Sequence, residues 1–278
     1  IKLVLDSLVV EEPPDSPDPS EEPHPPREKF VKIPMADLEY LQVCELVGIT
    51  SQSMGALLRR EIPIHVTSYQ QRPLGSFMPP SPARGETRWR QFESFSDKEF
   101  VLQISKELIR AKLGNQKRLL QKLHSNRPER LRNASLSRLD QALKKVTQIS
   151  LGEGTPSLLG LEGSSTRHFF QLWREYLPEE FPFERRTSRP PLDPVNACLS
   201  YGSAIVYHEI SAAIHRRGLE PGFGLFHSTE NGRLALALDL MEPFRPALVE
   251  ALPLHLFGHG IFSKEDFDFR TDGGVYLN

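Results

Sequence analysis

The sequence predicts an α+β protein, with a small β-rich N-terminal domain over residues 1–82 and a larger, mostly α-helical domain over residues 83–278. Three observations carry this. Short apolar and β-branched runs crowd the first part of the chain, Pro79-Pro80-Ser81-Pro82 then interrupts regular structure, and beyond it apolar residues recur at helical spacing. The 278 residues, 38% of them hydrophobic, can build a buried core, which excludes global disorder. No apolar run approaches the ~18 residues of a membrane-crossing helix. No secretory-type start is visible either. Cys44 and Cys198 are the only cysteines, which excludes a disulfide scaffold and a CxxC-type zinc site. A reducing, cytoplasmic setting is expected.

Val4, Leu8, Val9 and Val10 form the first β-type run, and Phe30, Val31 and Ile33 the next. Between them, residues 11–27 hold six acids, one arginine and seven prolines, so this stretch is expected to be a mobile acidic loop. Leu38 to Val43 and Ile62 to Val66 read as further strands, and Thr50 as the cap of a short helix bearing Met54, Leu57 and Leu58. In the second domain Ser96-Asp97-Lys98-Glu99 has capping-box spacing, followed by a stripe of Phe100, Ile104, Leu108, Ala111, Leu119 and Leu123. Thr155-Pro156 and Asp193-Pro194 open two more helices, the second closed by Gly218. A fourth helical region runs from about Leu234 past Pro243, where the proline must kink or restart the helix.

The formal charge of −2 taken alone argues against a nucleic-acid partner, but the charge is segregated. Residues 11–27 sum to −5, while residues 101–147, with twelve Lys/Arg and three Asp/Glu, sum to +9. A surface of that sign suits a polyphosphate backbone; a pair of solvated helix faces is the plainer reading.

Several catalytic patterns are absent. His208-Glu209 begins like a zinc-protease motif, but Ala212 stands where the second histidine belongs. No phosphate-binding GxxxxGK[ST] loop and no GxSxG elbow occur, and Gly222-Phe223-Gly224 lacks a third glycine. Three places stand out instead. Glu162 lies between Gly160 and Gly163 on an apolar helix, where glycines would let a backbone or ligand approach the acid. The apolar loop Gly222-Phe223-Gly224-Leu225-Phe226-His227 delivers one imidazole. Asp239 and Glu242, spaced i and i+3 in an apolar stretch, are expected to share a helical face and so to require a metal or an arginine. One imidazole with oxygen ligands suits Mg²⁺ or Mn²⁺, and such an ion suits phosphoryl chemistry.

The ordered runs LLGLEGSSTRHFF, RPPLDPVNACLSYG, GLEPGFGLFH, LALDLMEPFRP and GGVYLN resemble the CRISPR-associated integrase/endonuclease family of spacer acquisition. The resemblance covers most of residues 83–278 and is weaker over residues 1–45. It implies metal ligands at Glu162, His227 and Glu242, with Asp239 as an auxiliary catalytic acid. Arg167 and Arg245 would orient the acids or contact DNA, and Asn196 would be a buried polar support; Arg185, Arg186 and Arg189 are further candidates for DNA contact, which a solvated loop explains equally well. Phe169 stands where the family often has Tyr, so no hydroxyl role carries over there. The implied reaction is the joining of prespacer 3′-OH ends to the CRISPR repeat in double-stranded DNA, with Mg²⁺ or Mn²⁺ activating the hydroxyl. The implied assembly is a homodimer joined through the β-rich domains and bridged by a small CRISPR-associated adaptation partner. A structure-specific DNA endonuclease and a non-catalytic DNA-holding subunit are the alternatives. Ile1 is not a natural start and the chain stops soon after GGVYLN, so sequence is expected beyond both ends.

Overall fold

The computed structural model describes residues 2–4, 7–11, 30–68, 73–79, 85–127, 136–227 and 234–278, and the chain divides into two units, residues 1–82 and 83–278. Beyond Glu11, the acidic loop expected at 11–27 lies outside the described residues.

In the first unit β1 (Lys2–Val4), β2 (Ser7–Glu11) and β3 (Phe30–Pro34) form an antiparallel sheet in that order. A second sheet pairs β4 (Leu41–Cys44) with β5 (Ile64–Thr67) in parallel, and α1 (Ser51–Arg59) supplies the crossover that a parallel pair requires. Thr50 caps α1 as expected, its Oγ1 accepting the Ser53 N–H at 3.2 Å. Met35, Val43, Leu57 and Ile64 form the core of this unit. An additional edge strand, β6 (Pro73–Phe77), pairs antiparallel with β5. Its Pro-Leu-Gly-Ser-Phe sequence has no strand alternation, but proline is tolerated at the first residue of an edge strand.

The second unit contains α2 (Gly85–Ser96), α3 (Lys98–Asn126), α4 (Ser137–Gln148), α5 (Gly154–Trp173), α6 (Pro194–Arg216), α7 (Ala235–Met241), a π-helical turn Pro246–Glu250 and α8 (Ala251–Gly258). A short hairpin of β7 (Phe267–Phe269) and β8 (Val275–Leu277) ends this mostly helical unit. The α3 cap is corrected. Asp97, not Ser96, accepts the Glu99 and Phe100 N–H groups at 2.9 and 3.3 Å, and the Ser96 hydroxyl instead donates to Phe92 O inside α2. Asp193 and Pro194 start α6 as expected, with Asp193 Oδ1 accepting the Asn196 N–H at 2.7 Å. Gly218 follows the helix in a left-handed conformation at φ +70°. None of the described helices is long and apolar enough to cross a membrane.

The 29-residue α3 is the axis of this unit, packing against both α4 and α5. Its buried face differs from the expected stripe. Leu102, Ser105, Ile109, Lys112, Leu113, Gln116 and Leu120 point inward, while Phe100 and Ala111 are exposed. Three polar residues interrupt that face, so an apolar-periodicity reading selects a neighbouring one. Around it, one core gathers Ile109, Leu113, Val146, Leu158, Phe226 and Leu236, and another gathers Phe169, Trp173, Val195, Leu199, Met241 and Phe257. Phe169 is wholly buried there, filling space as an apolar ring.

Candidate active site

The polar residues of α3 account for the architecture of the site. Asn115 Nδ2 donates to Pro243 O at 2.8 Å and Gln116 Nε2 reaches Glu250 Oε2 at 3.4 Å, so α3 is tied to the irregular segment after α7. Trp173, at the end of α5, ties the same segment from the other side through Nε1–H to Glu250 O at 2.9 Å. Pro243 and Pro246 prevent a continuous helix there, and Glu242 lies at the break, just beyond α7.

Glu162, from α5, and Glu242 converge on one cation. Lys112 Nζ donates to Glu162 Oε1 and forms an ion pair with Glu242 Oε2. All three side chains are withdrawn from solvent, Lys112 and Glu242 almost completely. Thr166 Oγ1 donates to Glu162 Oε1 at 2.8 Å, fixing that carboxyl one turn along its own helix. Arg245 Nη1 approaches Glu242 Oε1 at 3.5 Å, the acid-orienting contact expected of it. Burial alone lowers the Lys112 pKa, yet Glu242 and Glu162 outweigh it and hold the ammonium above its usual value. Burial likewise opposes Glu242 ionising, but Lys112 and then Arg245 keep its carboxyl below the ordinary range.

His227 is held by a different acid. Asp239 is fully buried and accepts the backbone N–H groups of Leu225, Phe226 and His227, the last two at 3.3 and 3.1 Å, together with His227 Nδ1 at 2.5 Å. A carboxylate can only accept, so Nδ1 is the donor of this bond, and in the neutral imidazole Nε2 is the nitrogen left to accept. Asp239 and Glu242, one helical turn apart, thus have different partners: one organises the histidine loop, the other faces the cation. Gly224 makes the loop possible, because a Cβ there would come within 2.6 Å of His227 O and 2.8 Å of the Ala235 Cβ. At Gly160 and Gly163 a Cβ would meet nothing within 4 Å, so among the described residues no other element occupies the space those glycines leave.

Arg167 is exposed on α5. Arg186 is half-buried, donating to Asn196 Oδ1 at 2.9 Å, Ser200 Oγ at 3.0 Å and Thr187 O. Asn196 is fully buried, and its amide also donates to Arg185 O at 2.9 Å and to Asp193 Oδ2 at 2.6 Å, so this polar cluster pins residues 185–187 to the start of α6. The +9 block is likewise partly internal: Lys112 is the site's cation and Lys117 pairs with Asp140 at 2.5 Å. Lys112, Asn115, Gln116 and Glu250 are the site residues missed in the sequence. A buried Lys-x-x-Asn-Gln run within an otherwise basic helix is the signal that was available.

Two carboxylates directed at one buried cation, with an imidazole whose Nδ1 is already engaged, are a donor set suited to a divalent ion of the Mg²⁺ or Mn²⁺ type. Among the described residues, no three His, Cys, Asp or Glu side chains are close enough together to hold one ion. Glu162 and Glu242 meet at the Lys112 ammonium, and His227 is near enough to act electrostatically on Glu242. Residues 228–233, which follow His227, lie outside the described residues.

Glu250 completes the cluster. Burial pushes its carboxyl up to about 7 despite Lys112 and Arg245, which favour ionisation, with Glu242 adding to the upward shift. The unfolded chain loses this proton near pH 4.5 and the folded chain near pH 7, so stability falls as pH rises between those values. Glu250→Gln is therefore expected to gain stability relative to the parent as pH rises from 5 to 8, by up to roughly 3 kcal/mol. Urea unfolding across that range checks it, and a pH-independent difference contradicts it.

The family described as CRISPR associated protein Cas1 matches residues 24–278 of this chain. A CRISPR-associated exonuclease Cas4/endonuclease Cas1 fusion of Rhodospirillum rubrum is 34% identical over 233 residues, covering 82% of this chain and 40% of the relative. Across three such fusion proteins this chain spans 40 to 47% of the relative's length. Among solved structures, a Cas1 protein from Thermotoga maritima superposes with a TM-score of 0.77 at 26% identity, covering 90% of this chain and 77% of that one. A chain of a Cas6-RT-Cas1–Cas2 complex also gives a TM-score of 0.77, at 30% identity, covering 91% of this chain and 28% of that one.

Proposed function

The chain belongs to the CRISPR associated protein Cas1 family, and from that premise we propose that it is a metal-dependent DNA integrase of CRISPR adaptation. In this reading it joins prespacer 3′-OH ends to the repeat by transesterification. The observation that carries the proposal is the convergence of Glu162 and Glu242, eighty residues apart in sequence, on one buried cation, with His227 within electrostatic reach of Glu242 and anchored through Nδ1.

Glu162, Glu242 and His227 are the residues that would hold Mg²⁺ or Mn²⁺. Bound there, such an ion supplies Lewis acidity toward a phosphate oxygen and lowers the pKa of the attacking hydroxyl. The remaining roles belong to the chain itself. Asp239 keeps the His227 proton on Nδ1 and fixes the ring's orientation. Thr166 and Arg245 each hold one acid in place, which limits the reorganisation required when DNA arrives. Nothing in this chemistry needs a covalent protein–DNA intermediate, since the 3′-OH is itself the nucleophile. Exposed basic residues of α3, such as Arg110, Arg118 and Lys122, together with Arg167, are placed on the surface for phosphate contacts.

The proposed partners are double-stranded DNA, comprising prespacer and CRISPR repeat, and a small adaptation partner such as the Cas2 named in the complex above. A homodimer through the β-rich units would supply two active sites for two strand transfers. The proposal is tested by incubating the protein and its partner with Mn²⁺, a labelled 3′-hydroxyl duplex and a plasmid carrying a repeat. An integrase transfers label into the plasmid. A structure-specific endonuclease only shortens the DNA, and a DNA-holding subunit leaves both molecules unchanged while binding them.

A further inference from the structure

Lys112 is buried in the centre of the site, yet the joining chemistry gives it no task. Its Nζ touches a carboxylate oxygen of Glu162 and one of Glu242, the two acids assigned to the metal. The helix beneath it is fixed, because Asn115 and Gln116 on the next turn are bonded to Pro243 O and Glu250 Oε2. The lysine's long side chain is therefore the mobile part. Two carboxylates withdrawn from water need a counter-charge at all times, and an ammonium meets that need with one charge and no imidazole. A divalent ion meets it with two charges and can recruit His227. The two cations compete for the same oxygens and cannot occupy the same point.

We propose that Lys112 is the place-holding cation of the metal site: its ammonium sits between Glu162 and Glu242 until a divalent ion enters, and is then displaced. This makes Lys112 a positioning residue that sets metal affinity by competition, and it rests on the assignment of Glu162, His227 and Glu242 as metal ligands. The place-holder keeps the two acids at their separation from each other, so the site is assembled before metal arrives. It also imposes a cost on binding, since only the fraction of molecules with the ammonium withdrawn accepts the ion.

Mn²⁺ binding to the full chain, followed by isothermal titration and by the electron-paramagnetic signal of free Mn²⁺, tests this without reference to activity. Lys112→Met is expected to bind Mn²⁺ roughly tenfold or more tightly than the parent, the factor expected if nine in ten parent molecules hold the lysine in place. In EDTA the same variant should melt below the parent, and Mn²⁺ should raise its Tm by more than it raises the parent's. If the parent binds Mn²⁺ and Lys112→Met binds it equally or more weakly, the proposal is overturned while the ligand assignment stands. If neither protein binds Mn²⁺, the ligand assignment falls and takes the proposal with it. Should the methionine variant not fold, Lys112→Gln, which keeps a donor for Glu162 but no charge, gives the same test with the same outcomes.

Discussion

Glu162→Gln is expected to abolish strand transfer while leaving the fold and DNA affinity in place. The substitution is isosteric, and Thr166 can still donate to the amide oxygen at 162, so α5 loses no packing. What disappears is one of the two carboxylates converging on the cation position, leaving Glu242 as the only acid there. Joining should fall by roughly 10³-fold or more, beyond the 10–100-fold that loss of a supporting partner costs. Single-turnover joining of a 3′-hydroxyl duplex measures the first effect; circular dichroism and fluorescence anisotropy on labelled DNA control for fold and binding. Full strand transfer by this variant would contradict the site assignment, and the same holds for His227→Ala.

Asp239→Asn is expected to damage both stability and activity, through a route that never touches the cation. Three backbone N–H groups and the His227 Nδ1–H converge on this fully buried carboxylate. An asparagine offers one acceptor oxygen, and its NH₂ must then oppose donors that the other oxygen had satisfied. Leaving buried donors unpaired and removing the charge they were arranged around should cost roughly 3 kcal/mol or more. Joining should drop by about 10–100-fold as the imidazole loses its orientation. Urea unfolding reads the stability, and hydrogen exchange at Leu225 and Phe226 reads the loop directly. Unchanged protection at those two amides would show that the carboxylate does not hold the loop.

Much of this was legible in the sequence because local chemistry and tertiary role agreed. Thr50 and Asp193-Pro194 start helices in the structure as their residue types demand, and the Gly-rich loop presents His227 as its apolar sequence suggested. Glu162 and Glu242 were recognisable because an acid in an apolar stretch needs a reason. The missed parts share a cause. Lys112 and Gln116 lie on the buried face of α3, where their polarity disguised that face as solvent-exposed, so an adjacent stripe was read as the core and Lys112 as part of a basic surface. Asp239 and Glu242 were read as one repelling pair because helical spacing places them together. The end of α7 and the prolines after it direct them to different partners, which no spacing rule contains. Arg186 donates to Asn196 and Ser200, partners on α6 that no local pattern in its own loop announces.

The central claim is that Glu162, Glu242 and His227 form one divalent-metal site. Anomalous diffraction at the manganese edge, on crystals of the full chain grown with Mn²⁺, tests it most directly. A single strong peak bonded to one oxygen from each glutamate and to His227 Nε2 is expected, with Lys112 withdrawn from its position between the acids. A peak elsewhere, or no peak with the Lys112 ammonium still between Glu162 and Glu242 at saturating Mn²⁺, would contradict it.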